Sequence, residues 1–267
     1  MGTQYPNKIS ALVELKSKLA EHQKLHKIED ILDDAMLIGF LNGKKYNVND
    51  SLKCLEQFVY IRTEKYPSFS MKYLIPSTLP MLDVQCIRTL KYMDKGCRRI
   101  GVGQISLWDP SKNNVHELLA ENVLHLDESI RNYMTHSEGN EFIMIIDMAG
   151  FCVQHFRNAT PSRIVQYFDF FLNNAPVRVV AIHLLNLSKM GNIVVSVCKR
   201  FMKEKIRKRL FIHDDFASLH DHLPATALPV SLGGHLSDED AFENEFVPGI
   251  RNQERFYTRM AELAMVS

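Results

Sequence analysis

Two uninterrupted apolar runs, FIMII at 142 to 146 and VVAIHLLNL at 179 to 187, constrain the fold of this chain more than any other feature. Each is far shorter than the roughly 20 residues that cross a bilayer, so neither is a membrane span. A strand that is apolar at consecutive positions must be covered on both faces, which is the condition of strands in mostly parallel sheets flanked by helices. Between the runs, Pro161 to Asn173 reads as a helix with proline at its start, where a missing N–H is harmless. The alternation continues on both sides. Ile100 to Leu107 is an extended run closed by Trp108-Asp109-Pro110, because a residue before proline is driven out of helix. Val115 to Thr135 is an amphipathic helix, Glu141 to Met148 and Val177 to Leu187 are strands, Met190 to Arg209 is helical, and Leu210 to His213 is a short strand.

The first 66 residues follow a different rule. Leu12, Leu15 and Leu19, then Ile31, Leu32, Ala35, Ile38 and Leu41, recur at helical spacing, and a third helix is expected after the cap residues Asn49-Asp50-Ser51, with a stop at Pro67. The expected organisation is therefore a helical module over 1–75, a connector over 76–97 rich in Pro, Ser and Thr, an α/β domain over 98–240 and a C-terminal tail over 241–267. With 267 residues the chain is long enough to bury a sizeable core in this arrangement.

Familiar catalytic signatures are missing: the sequence holds no G-x-S-x-G, H-E-x-x-H, Walker-type or G-x-G-x-x-G motif. Gly101 and Gly103 are two glycines in a strand, where a neighbour packs close. His22 and His26 lie one helical turn apart without a third ligand. The run His213-Asp214-Asp215 with His220-Asp221-His222 is richer in donors, and reads as a polar loop after a strand or, alternatively, as the cation site of a metal-dependent enzyme. His183 reads as a neutral core histidine, and Asp147 as a turn or helix cap. The five cysteines, Cys54, Cys86, Cys97, Cys152 and Cys198, form no C-x-x-C pair and read as reduced thiols. With MGTQYPNKIS carrying neither a signal peptide's pattern nor that of myristoylation, a cytoplasmic protein is expected.

One stretch rises above this background. Between 199 and 209 stand seven basic residues, Lys199, Arg200, Lys203, Lys205, Arg207, Lys208 and Arg209, against the single acid Glu204, in a chain whose formal net charge is only +1. On one continuous helix, Lys199, Lys203 and Arg207 share a face, and Met190, Val194, Val197 and Phe201 lead into it as an apolar stripe. The charge exceeds what a helix C-terminus needs, and each basic side chain near an anionic bilayer contributes about 1 kcal/mol. No aromatic side chains are interleaved for stacking on bases, so nucleic acid is not the expected partner.

Several linked motifs carry a resemblance: I-I-D-M-A-G-F at 145 to 151, T-P-S at 160 to 162, A-I-H-L-L-N at 181 to 186, F-M-K-E-K-I-R-K-R-L-F-I-H at 201 to 213, S-L-H at 218 to 220, L-P at 228 and 229 and G-G at 233 and 234. In order and spacing they resemble the CRAL-TRIO lipid-binding family, in its α-tocopherol transfer and retinaldehyde-binding branch. The resemblance covers about 98 to 236, and the F-L-x-x-x-K-Y segment at 40 to 46 is similar to the family's N-terminal module. It implies an α/β fold in which a mostly parallel sheet floors a lipid cavity closed by a mobile helix. Carried onto this chain, it places Phe142, Met144 and Ile146, then Tyr167, Phe170 and Phe171, and Ile182 on the cavity floor. Met190, Val194 and Val197 fall on the lid, and His125, Ser129 and Tyr133 are the polar candidates for orienting a ligand. It also implies a phosphoinositide headgroup site at Lys205, Arg207 and Arg209 with Arg178 and Lys44, to which Lys199 and Lys203 add charge. Val180 and Asn42 depart from the family's basic pattern, and Arg200 replaces a common proline, so that lid and basic helix are expected to be continuous.

The function so implied is non-enzymatic: a monomeric carrier of one tocopherol-, retinoid- or other lipid-like molecule, without cofactor or metal, that associates reversibly with anionic membrane. A phosphoinositide-sensing adaptor with a filled cavity is the alternative on the same fold, beside the metal-dependent enzyme at 213 to 222.

Overall fold

The structure, a computed structural model, describes residues 8–133 and 140–266. Its N-terminal helices are α1 (Lys8–Ala20), α2 (Asp34–Gly43), α3 (Val48–Tyr60) and α4 (Pro67–Tyr73), with a short α5 (Met81–Val84) leading to the sheet. The third helix begins earlier than expected. Asn47 is its cap, its side-chain oxygen accepting the Asp50 N–H at 3.1 Å, so that Asn49, Asp50 and Ser51 lie inside the helix. It widens into a π turn at Ile61–Lys65, and Pro67 opens α4 instead of only ending α3.

The apolar runs form adjacent parallel strands. β1 (Ile87–Thr89), β2 (Arg99–Gln104), β3 (Glu141–Asp147), β4 (Arg178–Leu185) and β5 (Leu210–Ile212) make one sheet in strict sequence order, with β1 antiparallel and the other neighbours parallel. Strand β1 lies inside the expected connector; three residues are too few for a periodicity to show. Crossovers between neighbouring parallel strands are right-handed, so strands laid down in order send every crossover helix to the same face. These are α6 (Val115–Glu128), α7 (Val153–Asn158) and α8 (Pro161–Phe168), and α9 (Lys189–Phe201) with α10 (Glu204–Arg207). The opposite face, with Ile143 and Ile145, is covered by α11 (Phe216–His220), by Leu223, Leu228 and Leu232, and by Ala241 and Phe242 from α12 (Asp238–Ala241) and the residue after it.

The segment expected as a tail is structural. α13 (Phe246–Asn252) and α14 (Glu254–Val266) fold back, and Phe256, Tyr257 and Met260 join the core of the N-terminal helices. Helix α6, expected to be amphipathic, is thereby enclosed, every residue from Leu119 to Arg131 being buried. Its Asp127 takes two hydrogen bonds from Arg62 at 2.8 and 3.0 Å, with both side chains almost wholly out of solvent and the Arg62 guanidinium 3.4 Å from the centre of the Phe58 ring. Helix α2 reaches the sheet by close approach. A Cβ on Gly39 would stand 2.4 Å from the Ile130 carbonyl, and one on Gly43 would stand 2.0 Å from that of Pro176. Asn140, at φ +48°, ties the same junction, donating to the Gly39 and Pro176 carbonyls while accepting from Asn42.

Removing one partner of a buried ion pair leaves the other charge uncompensated, at a cost of about 3–5 kcal/mol. Asp127→Ala is expected to lose stability on that order in urea unfolding, and the double replacement Arg62→Met with Asp127→Leu to recover most of it.

Candidate ligand cavity and basic surface

Between the sheet and its crossover helices lie two adjoining chambers of about 250 and 260 Å³. Together they fall in the range of roughly 300–1,000 Å³ usual for small-molecule sites. Val115, Met144, Ile146, Arg163 and Tyr167 border both, so the chambers adjoin along one shared wall. The first lies under α6, against Gly101, Gly103 and Gln104 of β2, Phe142 of β3 and Phe171. The second lies under α9 and is walled by Ile182, Leu184, Leu210, Val194, Val195, Cys198 and Met202. Alternation along β3 explains why its walls are apolar: Met144 and Ile146 face the space while Ile143 and Ile145 feed the core behind. The Phe142 ring occupies the place where a Gly101 side chain would stand, 2.4 Å from a Cβ built there.

Most of the floor residues named from the sequence meet here: Phe142, Met144, Ile146, Tyr167, Phe171, His125 and Ser129 around the first chamber, and Ile182 and Val194 at the second. Tyr167 stacks on Phe171 at 4.5 Å, and burial raises its phenol pKa. Four expected residues sit elsewhere. Phe170, in the π turn Asp169–Asn173, packs on Phe69 and Tyr66 of the N-terminal helices, with ring centres 5.3 and 5.7 Å apart. Tyr133 stacks on Phe246 at 4.2 Å. Met190 and Val197 are half-buried off the chamber walls, because α9 is rotated from the expected stripe: its buried positions are Gly191 and Val195, continued by Cys198 and Met202. Burial lifts the Cys198 thiol to about 11, leaving it a neutral lining group. Thr89, Gln104 and Asn122 also line the first chamber and were missed, although Asn122, His125 and Ser129 at i, i+3 and i+7 are a polar line on an apolar helix.

Lid and basic segment are not continuous. α9 ends at Met202, whose backbone is extended (φ −76°, ψ 135°), and α10 starts afresh at Glu204, so Lys199, Lys203 and Arg207 do not share one helical face. Met202 turns into the second chamber instead. Beyond the break, Lys203, Lys205 and Arg207 are exposed, and Arg209 donates to the Val179 carbonyl at the start of β4. Arg178 opens that strand, half-exposed and paired with Glu141 at 2.7 Å. The Gly43 contact with Pro176 brings Lys44 to the same edge. Arg178 and Arg209 thus lie at the starting ends of β4 and β5, with Lys205 and Arg207 on the segment that leads into β5. Asn42 is engaged with Asn140 in the interior, at 2.9 Å.

Several of the remaining polar candidates have structural partners. Asp147 accepts from Ala149 N–H and from Asn186 at 2.9 and 2.8 Å. His26 Nδ1 lies 2.9 Å from the His22 carbonyl. His183 Nδ1 and His213 Nε2 are 2.9 Å apart, and His213 Nδ1 is 3.1 Å from Ser218 Oγ. Among the described residues no group of three or more His, Cys, Asp or Glu is arranged to hold a metal ion, and no helix is long and apolar enough to cross a membrane.

The CRAL/TRIO domain profile matches residues 85–234, more than half of the sequence. The chain belongs to this family of lipid-binding and lipid-transfer proteins. It is 27% identical to Clavesin-2 of Homo sapiens over 232 residues, which is 82% of this chain and 70% of that one. It is 28% identical to the alpha-tocopherol transfer protein-like protein of Mus musculus over 212 residues, 78% of this chain and 60% of that one. The fold is similar to the crystal structure of Sfh5, with a TM-score of 0.57 at 15% identity, covering 96% of this chain and 99% of that one.

Burial, with the nearby His213 and His222, holds His183 down to about 4, and burial holds His125 at about 4. Both are neutral when folded, while in the unfolded chain they take up protons near the ordinary 6.5. Stability is accordingly expected to be full above about pH 6.5 and to fall as pH drops toward 4, and His183→Leu to flatten that dependence in thermal melts. Met144→Trp, placed where the chambers join, is expected to cut uptake of a fluorescent lipid about tenfold or more while Tm stays within a few degrees.

Proposed function

We propose that this protein carries one hydrophobic molecule, of the size and character of a tocopherol or retinoid, in the space under α6 and α9 and exchanges it at anionic, phosphoinositide-containing membrane. The observation that carries the reading is the apolar double chamber roofed on one side by a single helix, α9. A lipid with about twenty buried carbons gains on the order of 16 kcal/mol from leaving water, at ~0.8 kcal/mol per methylene, so release into bulk water is too slow to serve. Exchange must occur against another apolar phase. The outer surface supports this. Val153 and Phe156 on α7 and Ile193 and Phe201 on α9 are exposed apolar side chains on two helices that pack against each other, and the cations of α10 follow directly. Cations draw this surface to the bilayer, exposed apolar groups enter the headgroup region, and the break at Met202 is the hinge about which α9 opens. The name of the murine relative, which refers to tocopherol transfer, agrees with this cargo class.

Reversing Lys203, Lys205 and Arg207 to Glu removes three exposed charges that contribute ~1 kcal/mol each near an anionic surface, so binding to phosphoinositide liposomes is expected to weaken about a hundredfold and transfer to fail, with lipid uptake from detergent unchanged. Liposome transfer that is indifferent to the triple reversal rejects the membrane-docking step. Headgroup binding by a protein that never takes up lipid would favour the adaptor instead.

A further inference from the structure

We infer that the cargo is a lipid acid, a hydrocarbon ending in one carboxylate, and that Arg163 receives the carboxylate where the two chambers adjoin. The inference rests on the carrier reading and narrows its cargo to an ionised lipid. Arg163 stands in the first turn of α8 and borders both chambers. Among the described residues around them there is no Asp, Glu or Lys, so Arg163 is the one permanent charge on walls that are otherwise apolar or neutral. It has no ion-pair partner among the described residues, its hydrogen bonds going to Asn158 alone. A cation on an apolar wall is costly until an opposite charge meets it.

The guanidinium is fixed on one side and open on the other. Arg163 Nη1 donates to the backbone and side-chain oxygens of Asn158 at 3.2 and 3.0 Å, closing the C-terminal end of α7. Asn158 is held in turn, its Nδ2 donating to the Gln154 carbonyl at 2.9 Å. Nε and Nη2 have no partner among the described residues. In a guanidinium those two N–H groups run parallel and form the edge that a carboxylate meets with two hydrogen bonds. The surroundings favour an anion as well. His116, on the same first chamber, is held below the ordinary histidine pKa by burial and by the positive charges of Arg163 and Lys72. Met144, Ile146 and Tyr167, which share the wall with Arg163, give the hydrocarbon behind the carboxylate its apolar contact. A hydroxyl or an ester carbonyl accepts from the same N–H groups but brings no charge, and its gain is smaller. An arginine that served only to close α7 would be indifferent to the head group.

Displacement of diphenylhexatriene, a hydrocarbon fluorophore without polar atoms, separates the two readings. Fluorophore uptake reports the apolar cavity, and competition among palmitate, methyl palmitate and hexadecanol reports the charge at its wall. Wild-type protein is expected to take palmitate about tenfold more tightly than the ester or the alcohol. Arg163→Gln, which keeps a donor for Asn158 without the charge, is expected to bind the fluorophore normally and lose the preference, and Arg163→Lys to retain part of it. Arg163→Glu is expected to invert the order, so that hexadecylamine displaces the fluorophore better than palmitate. Fluorophore uptake by the wild type without preference for the acid, or a preference that survives Arg163→Gln, overturns this inference and leaves the carrier reading standing. Failure of the wild type to take up the fluorophore overturns both.

Discussion

Everything in this molecule follows from placing four parallel strands side by side in the order in which they occur. Right-handed crossovers then carry α6, α8 and α9 to one face, and three helices, each tied to a different part of the chain, roof one sheet. Helix α6 is tied from behind by Arg62 and Tyr257 through Asp127, and the π turn that follows it by Gly39 of α2 against Ile130.

The other end of the roof is built differently. Only Gly191 and Val195 of α9 are buried, and its solvent side carries Ile193 and Phe201. A helix with so narrow a buried stripe has little to hold it closed, while its C-terminal break at Met202 uncouples it from α10 and β5. The cations beyond the break are fixed to the sheet edge through Arg209 and the Val179 carbonyl. The helix over the second chamber and the basic segment are therefore two separate elements and not one continuous helix.

Reading the residues alone recovered β2 to β5 and helices α6 and α8 of the α/β part because apolar runs and helical stripes are local signals, but it passed over α7 and α11 and ran α9 and α10 together. It missed β1, which is too short to show alternation, and treated α13 and α14 as a tail although Phe256, Tyr257 and Met260 carry helical spacing. The cavity-floor positions Phe142, Met144 and Ile146 came from the family resemblance, since an unbroken apolar run does not itself say which residues face the cavity. The lid's inward face did not follow, because the choice between Val197 and Cys198 as the inward residue is a rotation of about 100° on a helix turning 3.6 residues per cycle, which packing against α7 and α8 decides. Phe170 was misplaced for the same kind of reason: the π turn shifts the phase of the helix.

The amino-acid sequence by itself determined the fold class, the apolar character of the two central strands and the concentration of positive charge before β5, since each depends on residues near one another in the chain. Folding in three dimensions decided which faces look into the cavity, that His125 is stranded there without partners, and that Arg209 reaches the start of β4 beside Arg178. Those outcomes depend on contacts between segments far apart in sequence, such as Gly43 with Pro176 and Arg62 with Asp127, and no local pattern carries them.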